Sequence, residues 1–195
     1  MKIISLADLL GSLGVSAVKR LLDAFSCREL NEDVDSYLKR WAIPHTKRKT
    51  SMTHIVFAPG GEIAAYFTLT SKPLTICFDT LDADTTKQLN DVARVDLDND
   101  RKSYRISSYL IAQVAKNLAS SEGRELSGRD LFAAIYDQIR RVQGIIGGKV
   151  VFLEYERDRP KLFETYTKVH KFREFPMPSA EDRNQRLGQL FRFLD

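Results

Sequence analysis

The sequence predicts an α/β (α+β) fold, a mixed central β-sheet flanked by helices, in a single domain spanning residues 1–195 with a helical N-terminal extension over 1–22. Three observations predict it. "THIVFA" and "EIAAYFTLT" flank Pro59-Gly60-Gly61, a turn-forming set between two β-prone runs, and so form a hairpin. "YRISSYLIAQVA" (Tyr104–Ala115) is a long β-branched and aromatic run whose apolar end suits burial on both faces. From Ser127 the apolar period changes to that of a helix, and a second buried-looking strand, "KVVFLEY" (Lys149–Tyr155), follows.

The elements follow in order. Ser5 with Asp8 three residues on is a capping pattern for a first helix, which Gly11 and Gly14 then break. A second helix carries Val15–Leu22, and "AFSC" (Ala24–Cys27) is short enough to be a strand. Asn31 or Asp33 caps the helix "VDSYLKRWAI", with Val34, Leu38, Trp41 and Ala42 at helical spacing. "KRKT" (Lys47–Thr50) reads as a basic loop, a solvated turn in preference to an RNA-binding patch. The polar segment Lys72–Arg101 reads as a loop holding a short helix. After the Tyr104–Ala115 strand, Ser127 and Asp130 repeat the capping pattern, and Leu131, Ile135, Ile139 and Val142 share one helix face. Gly144, Gly147 and Gly148 end that helix. The strand–helix–strand unit is expected to be a right-handed parallel crossover. Pro160 opens a helix through "KLFETYTKV", and "KFREF" and "LGQLFRFLD" close the sheet as strands around a Pro-containing loop.

Composition bounds the function. The chain has 195 residues, 43% of them hydrophobic, enough for one substantial core. A net charge of +4 and a pI near 9.0 suit an anionic ligand or a transient RNA contact, and solvated lysines account for them equally well. Cys27 and Cys77 form no C-x-x-C pair, and His45, His54 and His170 are scattered, so no metal site is expected. Two thiols make no disulfide framework. With no signal-peptide pattern and no apolar run near the ~20 residues of a membrane span, a soluble cytoplasmic protein with no membrane contact is expected.

The stretch "EGRELSGRDLF" (Glu122–Phe132) carries the chemistry. A helix N-terminus presents unpaired N–H groups and partial positive charge, so a polyphosphate docks there if the backbone is bare. Gly123 and Gly128 remove side chains; Arg124 and Arg129 add charge. The spacing is neither a Walker loop nor a G-x-G-x-x-G fingerprint. "LSGRDLF" (Leu126–Phe132) matches the end of an R/Q-x-x-G-x-G/A motif, "IAQVAKN" matches a preceding strand of the form I-x-x-L-A-V-D, and "LFETYTKVHKF" matches a-x-x-F-Y-E-K-x-G-F. In this order the motifs resemble the GCN5-related N-acetyltransferase (GNAT) family. "VVFLEYERDRPKLFETY" is especially similar to uncharacterised bacterial members, and the likeness spans roughly Ala24–Asp195.

The resemblance implies a GNAT fold and an N-acetyltransferase, an acyltransferase in which a primary amine attacks the thioester of acetyl-CoA directly. It implies that the main chain of Val114, Ala115 and Lys116 holds the pantetheine arm. It places the pyrophosphate on Gly123, Arg124, Ser127, Gly128 and Arg129, and gives Tyr166 the departing thiolate. The chain departs from the family at four places. Leu126 replaces the first motif glycine, Glu125 stands beside it, Gly123 takes the R/Q position, and His170-Lys171 stand where one glycine is usual. No carboxylate lies between Tyr104 and Val114; Glu62 and Glu154 are the base candidates by elimination, and Tyr109 and Gln113 are candidates to orient the acceptor. The expected acceptor is a small-molecule or protein amine; charged tRNA in a toxin-like member, motivated by the basic pI and Lys47, Arg48 and Lys49, ranks below these because the charge excess is small. A homodimer stays open. The rival class is a non-catalytic GNAT-like CoA-binding or interaction module, motivated by the eroded glycine motif.

Overall fold

The structure, a computed structural model, describes residues 1–77, 81–96, 103–174 and 187–194. The chain divides into two compact units, Met1–Thr70 with Ile111–Gln138, and Ser71–Leu110 with Ile139–Asp195.

The first unit opens with a strand the sequence did not announce, β1 (Lys2–Ser5). Ser5 then caps α1 (Leu6–Asp23): its Oγ accepts the Asp8 N–H at 3.1 Å and donates to the Asp8 carboxylate at 2.7 Å. The helix runs through Gly11 and kinks at Gly14 alone, where φ is 73° and glycine bears no Cβ penalty. Ala24–Cys27 is not a strand. Asn31, rather than Asp33, caps α2 (Glu32–Arg40). That helix stops earlier than its apolar spacing suggests, and a further helix, α3 (Ala42–Arg48), takes in the first two residues of the basic segment, with Lys49 at φ 58° and Thr50 left as the expected turn.

The hairpin forms as expected from β2 (Met52–Phe57) and β3 (Ile63–Cys77), with β1 pairing antiparallel on the far side of β2. Leu6, Leu22, Phe25, Leu38, Ile55 and Tyr66 are sealed into this unit's core. Asp35 is buried with them. Burial alone would raise its carboxyl, but Lys39 at 2.8 Å and the Cys27 N–H at 2.9 Å hold it below the ordinary range. β5 (Ser103–Lys116) lies beside β3; in this unit the Asn117 N–H donates to the Ala64 carbonyl at its end. A five-residue helix, α5 (Ser121–Glu125), and the start of α6 (Gly128–Ile146) follow.

In the second unit the strand order is β3-β5-β6-β8-β7, with β4 pairing β5 off this path. α4 (Ala83–Val92), capped by Asp82, is the short helix expected in Lys72–Arg101, and β4 (Arg94–Asp96) was not foreseen. β3 continues through Pro73 to Cys77, seven residues past the expected end. α6 joins β5 to its neighbour β6 (Val150–Glu156), as the crossover reading requires. β6 is buried except at Glu154. α7 (Pro160–Glu164) passes into a π-helical turn, Thr165–Val169. β7 (Arg173–Glu174) pairs with β8 (Leu187–Phe193), which runs antiparallel to β6. The Pro-containing loop between the closing strands lies outside the described residues, as does Phe175 of "KFREF". The sheet is mixed and flanked by helices, as the sequence predicts.

Candidate functional site

The first unit carries the loop from β5 to α6. Ser127 caps α6 as its S-x-x-D pattern requires: Oγ accepts the Asp130 N–H at 3.0 Å and donates to the Asp130 carboxylate at 2.7 Å. Gly128, Arg129 and Ser127 are exposed. A Cβ built on Gly128 meets nothing within 4 Å, so the bare backbone faces open space. Among the described residues, no hydrogen bond occupies the N–H groups of Ser127, Gly128 or Arg129.

Lys116 bears on the orientation of one of those donors, the Ser127 N–H. Its Nζ donates to the carbonyls of Leu126 at 2.8 Å and Arg124 at 3.1 Å. A trans peptide is planar, with C=O and N–H antiparallel. Drawing the Leu126 carbonyl to Lys116 therefore turns the Ser127 N–H the opposite way. The ammonium sequesters two acceptor dipoles that would otherwise repel an anion at this loop.

The remaining cradle candidates have internal tasks. The Arg124 guanidinium donates to the Leu118 carbonyl. Gly123 is buried, and its N–H donates to Ser120 Oγ at 3.1 Å, capping α5. A Cβ there would stand 2.1 Å from the Asn117 carbonyl oxygen and 2.8 Å from that of Ala64. Gly123 is thus required by packing rather than by an approaching ligand. Glu125 is exposed, and Leu126 is half-buried. A cleft of about 470 Å³ opens beside Leu126 and Asp130, floored by Ile3 and Ala134. Its lining is apolar and acidic, so it adds nothing to an anion cradle.

Asn117 is the residue that sequence reasoning missed. It is buried; its Nδ2 donates to the Ile63 carbonyl at 2.8 Å, and its Oδ1 accepts the N–H groups of Ser26 at 3.0 Å and Ala119 at 3.1 Å. One side chain therefore ties the end of β5 to β3, to the segment after α1 and to the loop. The available signal was a polar residue closing an apolar strand. Val114, Ala115 and Lys116, all half-buried, are the last three residues of β5 before this knot.

We expect Lys116→Met to weaken anion binding at the loop about tenfold, the scale of a lost charged hydrogen bond. Calorimetric titration with acetyl-CoA checks this.

The second unit carries Tyr166, buried in the π-helical turn with its ring 6.2 Å from that of Phe172, edge to face. Single π-helical turns are rare and recur at functional sites. Burial pushes the phenol up to about 12, so it stays protonated throughout the physiological range. Lys171, just past this turn, has φ 59°. A left-handed backbone at a non-glycine residue costs roughly 1–2 kcal/mol.

Of the other candidates, all but Gln113 are committed or exposed. Tyr109 donates its hydroxyl to the Gly147 carbonyl. Glu154 is exposed and accepts from Gln189 Nε2 at 3.0 Å. Glu62 is exposed at the hairpin turn. Gln113 Oε1 is buried without a partner among the described residues. No group of three or more His, Cys, Asp or Glu side chains is placed to hold a metal ion, among the described residues.

Several titrations coincide. Burial raises Tyr166 and Tyr155 from 10.0 to about 12, with Glu174 adding to the shift at Tyr155, and burial and Asp35 raise Cys27 from 9.0 to about 12. A folded-state pKa above the unfolded one means that the native state holds more protons as pH rises. The stability contributed by these three groups is therefore complete below about pH 9 and falls towards pH 12. Denaturant midpoints measured across that range check the slope.

No protein-family model matches the sequence, and no curated protein does. Solved structures do. The AtaT toxin complexed with acetyl-methionyl-tRNAfMet aligns at a TM-score of 0.59 and 16% identity, covering 88% of this chain and 86% of that one. AtaTR bound with acetyl-CoA aligns at 0.57 and 17%, covering 98% and 92%. A tyrosine-to-phenylalanine mutant of KacT aligns at 0.59 and 14%, covering 99% and 95%. The chain has the GNAT fold. No helix among the described residues is long and apolar enough to cross a membrane.

Proposed function

We propose that the protein is an acetyl-CoA-dependent N-acetyltransferase. The observation that carries this reading is the α6 N-terminus: Lys116 draws the Arg124 and Leu126 carbonyls inward, and three N–H groups remain over the bare Gly128 backbone. These donors and the exposed Arg129 fit a pyrophosphate. The bound co-substrate supplies an activated acetyl thioester. Val114–Lys116 offer strand main chain to the pantetheine arm. The amine lone pair attacks the thioester carbonyl, the C–S bond breaks, and the amine's proton passes to water, since Glu62 and Glu154 are exposed. Tyr166 donates a hydrogen bond to the departing sulfur. A phenol near 12 is a weaker acid than a thiol near 8.5, so it steadies the thiolate more than it surrenders its proton.

The acceptor is a primary amine. Charged tRNA is the favoured class, because a structure sharing this fold is complexed with acetyl-methionyl-tRNAfMet. Protein and small-molecule amines are its rivals. Cytoplasmic residence, a bacterial source and self-association belong to the same proposal. The second reading, a CoA-binding or interaction module without turnover, draws on Gly123 and Arg124 having packing tasks.

Thiol release from acetyl-CoA decides between them. Release that depends on added aminoacyl-tRNA, lysine peptide or small amine supports the enzyme and names its acceptor. Binding without release across all three supports the module.

A further inference from the structure

No acidic residue occurs between Asp35 and Glu62, while Lys39, Arg40, Lys47, Arg48 and Lys49 do. That run alone carries +5, against +4 for the whole chain. Lys39 is bound to Asp35. Arg40, Lys47, Arg48 and Lys49 are exposed and have no acidic partner among the described residues.

Among them stands Trp41, the chain's single tryptophan, 52% exposed. Tryptophan is highly buried on average, so so much open indole is informative. The ring is also held. It stacks on His45 at 5.9 Å and 30°, and His45 in turn meets the Tyr37 ring at 5.6 Å and the Tyr37 hydroxyl at 3.3 Å. Tyr37 is anchored to Ser51 Oγ at 3.1 Å. The turn carrying the cations is fixed as well, since the Lys49 N–H donates to the carbonyls of His45 and Thr46.

We propose that α3 and the α2–α3 corner, with Trp41 and Arg40 at the corner and Lys47, Arg48 and Lys49 at the far end of α3, bind a single-stranded segment of RNA. A base stacks on the outer face of the Trp41 indole, and the cations take the flanking phosphates. A base inside a duplex has both faces covered, so the platform selects unpaired nucleotides. Among cellular nucleic acids, RNA presents these in its loops and ends. The inference rests on the acetyltransferase reading only for its place in the reaction, as the seat of an RNA-borne acceptor.

Because Trp41 is the single tryptophan, intrinsic fluorescence reports on this spot directly. Titration with a short single-stranded RNA is expected to quench it. In anisotropy with labelled RNA, Trp41→Ala is expected to weaken binding about tenfold or more, and Trp41→Phe to retain most of it. Joint replacement of Lys47, Arg48 and Lys49 by alanine is expected to reduce the log–log salt slope by about two, at ~0.7 per phosphate. An absence of quenching overturns the proposal. So does blunt duplex DNA binding as tightly as the RNA, or equal RNA affinity in wild type and Trp41→Ala. RNA binding is measured without acetyl-CoA, and thiol release from a small amine without RNA, so failure of either reading leaves the other visible.

Discussion

Gly123→Ala is expected to lower stability by about 3 kcal/mol and the melting temperature by on the order of 10 °C. The added methyl would sit 2.1 Å from the Asn117 carbonyl oxygen, 2.9 Å from its carbon and 2.8 Å from the Ala64 oxygen. All three are backbone atoms of the β3–β5 pairing, and none can swing aside as a side chain would. The Asn117 N–H to Ala64 bond, 2.8 Å long, lies under the same contact. Either α5 lifts or that end of the strand pair opens. In both cases the Lys116 contacts to the loop carbonyls are disturbed, so acetyl-CoA binding falls with stability. Thermal unfolding and calorimetry on one preparation test both effects. A melting temperature within a degree or two of wild type would show that α5 moves freely, and the knot around Asn117 would lose its importance.

Tyr166→Phe is expected to reduce kcat about 100-fold while leaving acetyl-CoA affinity within a few-fold of wild type. Phenylalanine keeps the ring that meets Phe172 and deletes only the hydroxyl. The loss should appear in kcat rather than KM, because the thiolate develops only in the transition state. Since the phenol lies near 12, wild-type kcat should show no alkaline limb from Tyr166 below about pH 11. Unchanged turnover in Tyr166→Phe would remove the residue from the mechanism.

What the sequence disclosed is mostly local chemistry. Ser5 with Asp8 and Ser127 with Asp130 form the caps their spacing prescribes, because a helix start is decided within one turn. The hairpin, the apolar β6 and α6 follow from period and turn residues. What stayed hidden depends on distant partners. β1 is four residues long, and its register is set against β2 some fifty residues on, Ile3 opposite Val56. β3 passes through Pro73, a residue that ordinarily argues against a strand interior. α5 reads as a loop, since Lys116, Arg124 and the Asn117 knot shape its surroundings from outside the segment. The same limit explains Gly123 and Gly128. Both look like cradle glycines in one dimension, and only the atoms around each Cβ separate a packing glycine from one open to solvent. Lys171 shows the converse: its backbone is left-handed although it is not the glycine that such a conformation favours.

That contrast supplies the most direct test. Gly128→Ala adds a methyl where nothing lies within 4 Å, and alanine is the better helix former. The variant is predicted to fold as stably as wild type or slightly better. It is also predicted to bind acetyl-CoA at least about tenfold more weakly, because the methyl intrudes where the pyrophosphate must approach the N–H groups. Paired calorimetric titrations of wild type and Gly128→Ala with acetyl-CoA give both answers. Measurable wild-type binding, weakened by the methyl at unchanged melting temperature, is the predicted result; no heat with wild type, or equal affinity in the two proteins, would contradict a cofactor cradle at the start of α6.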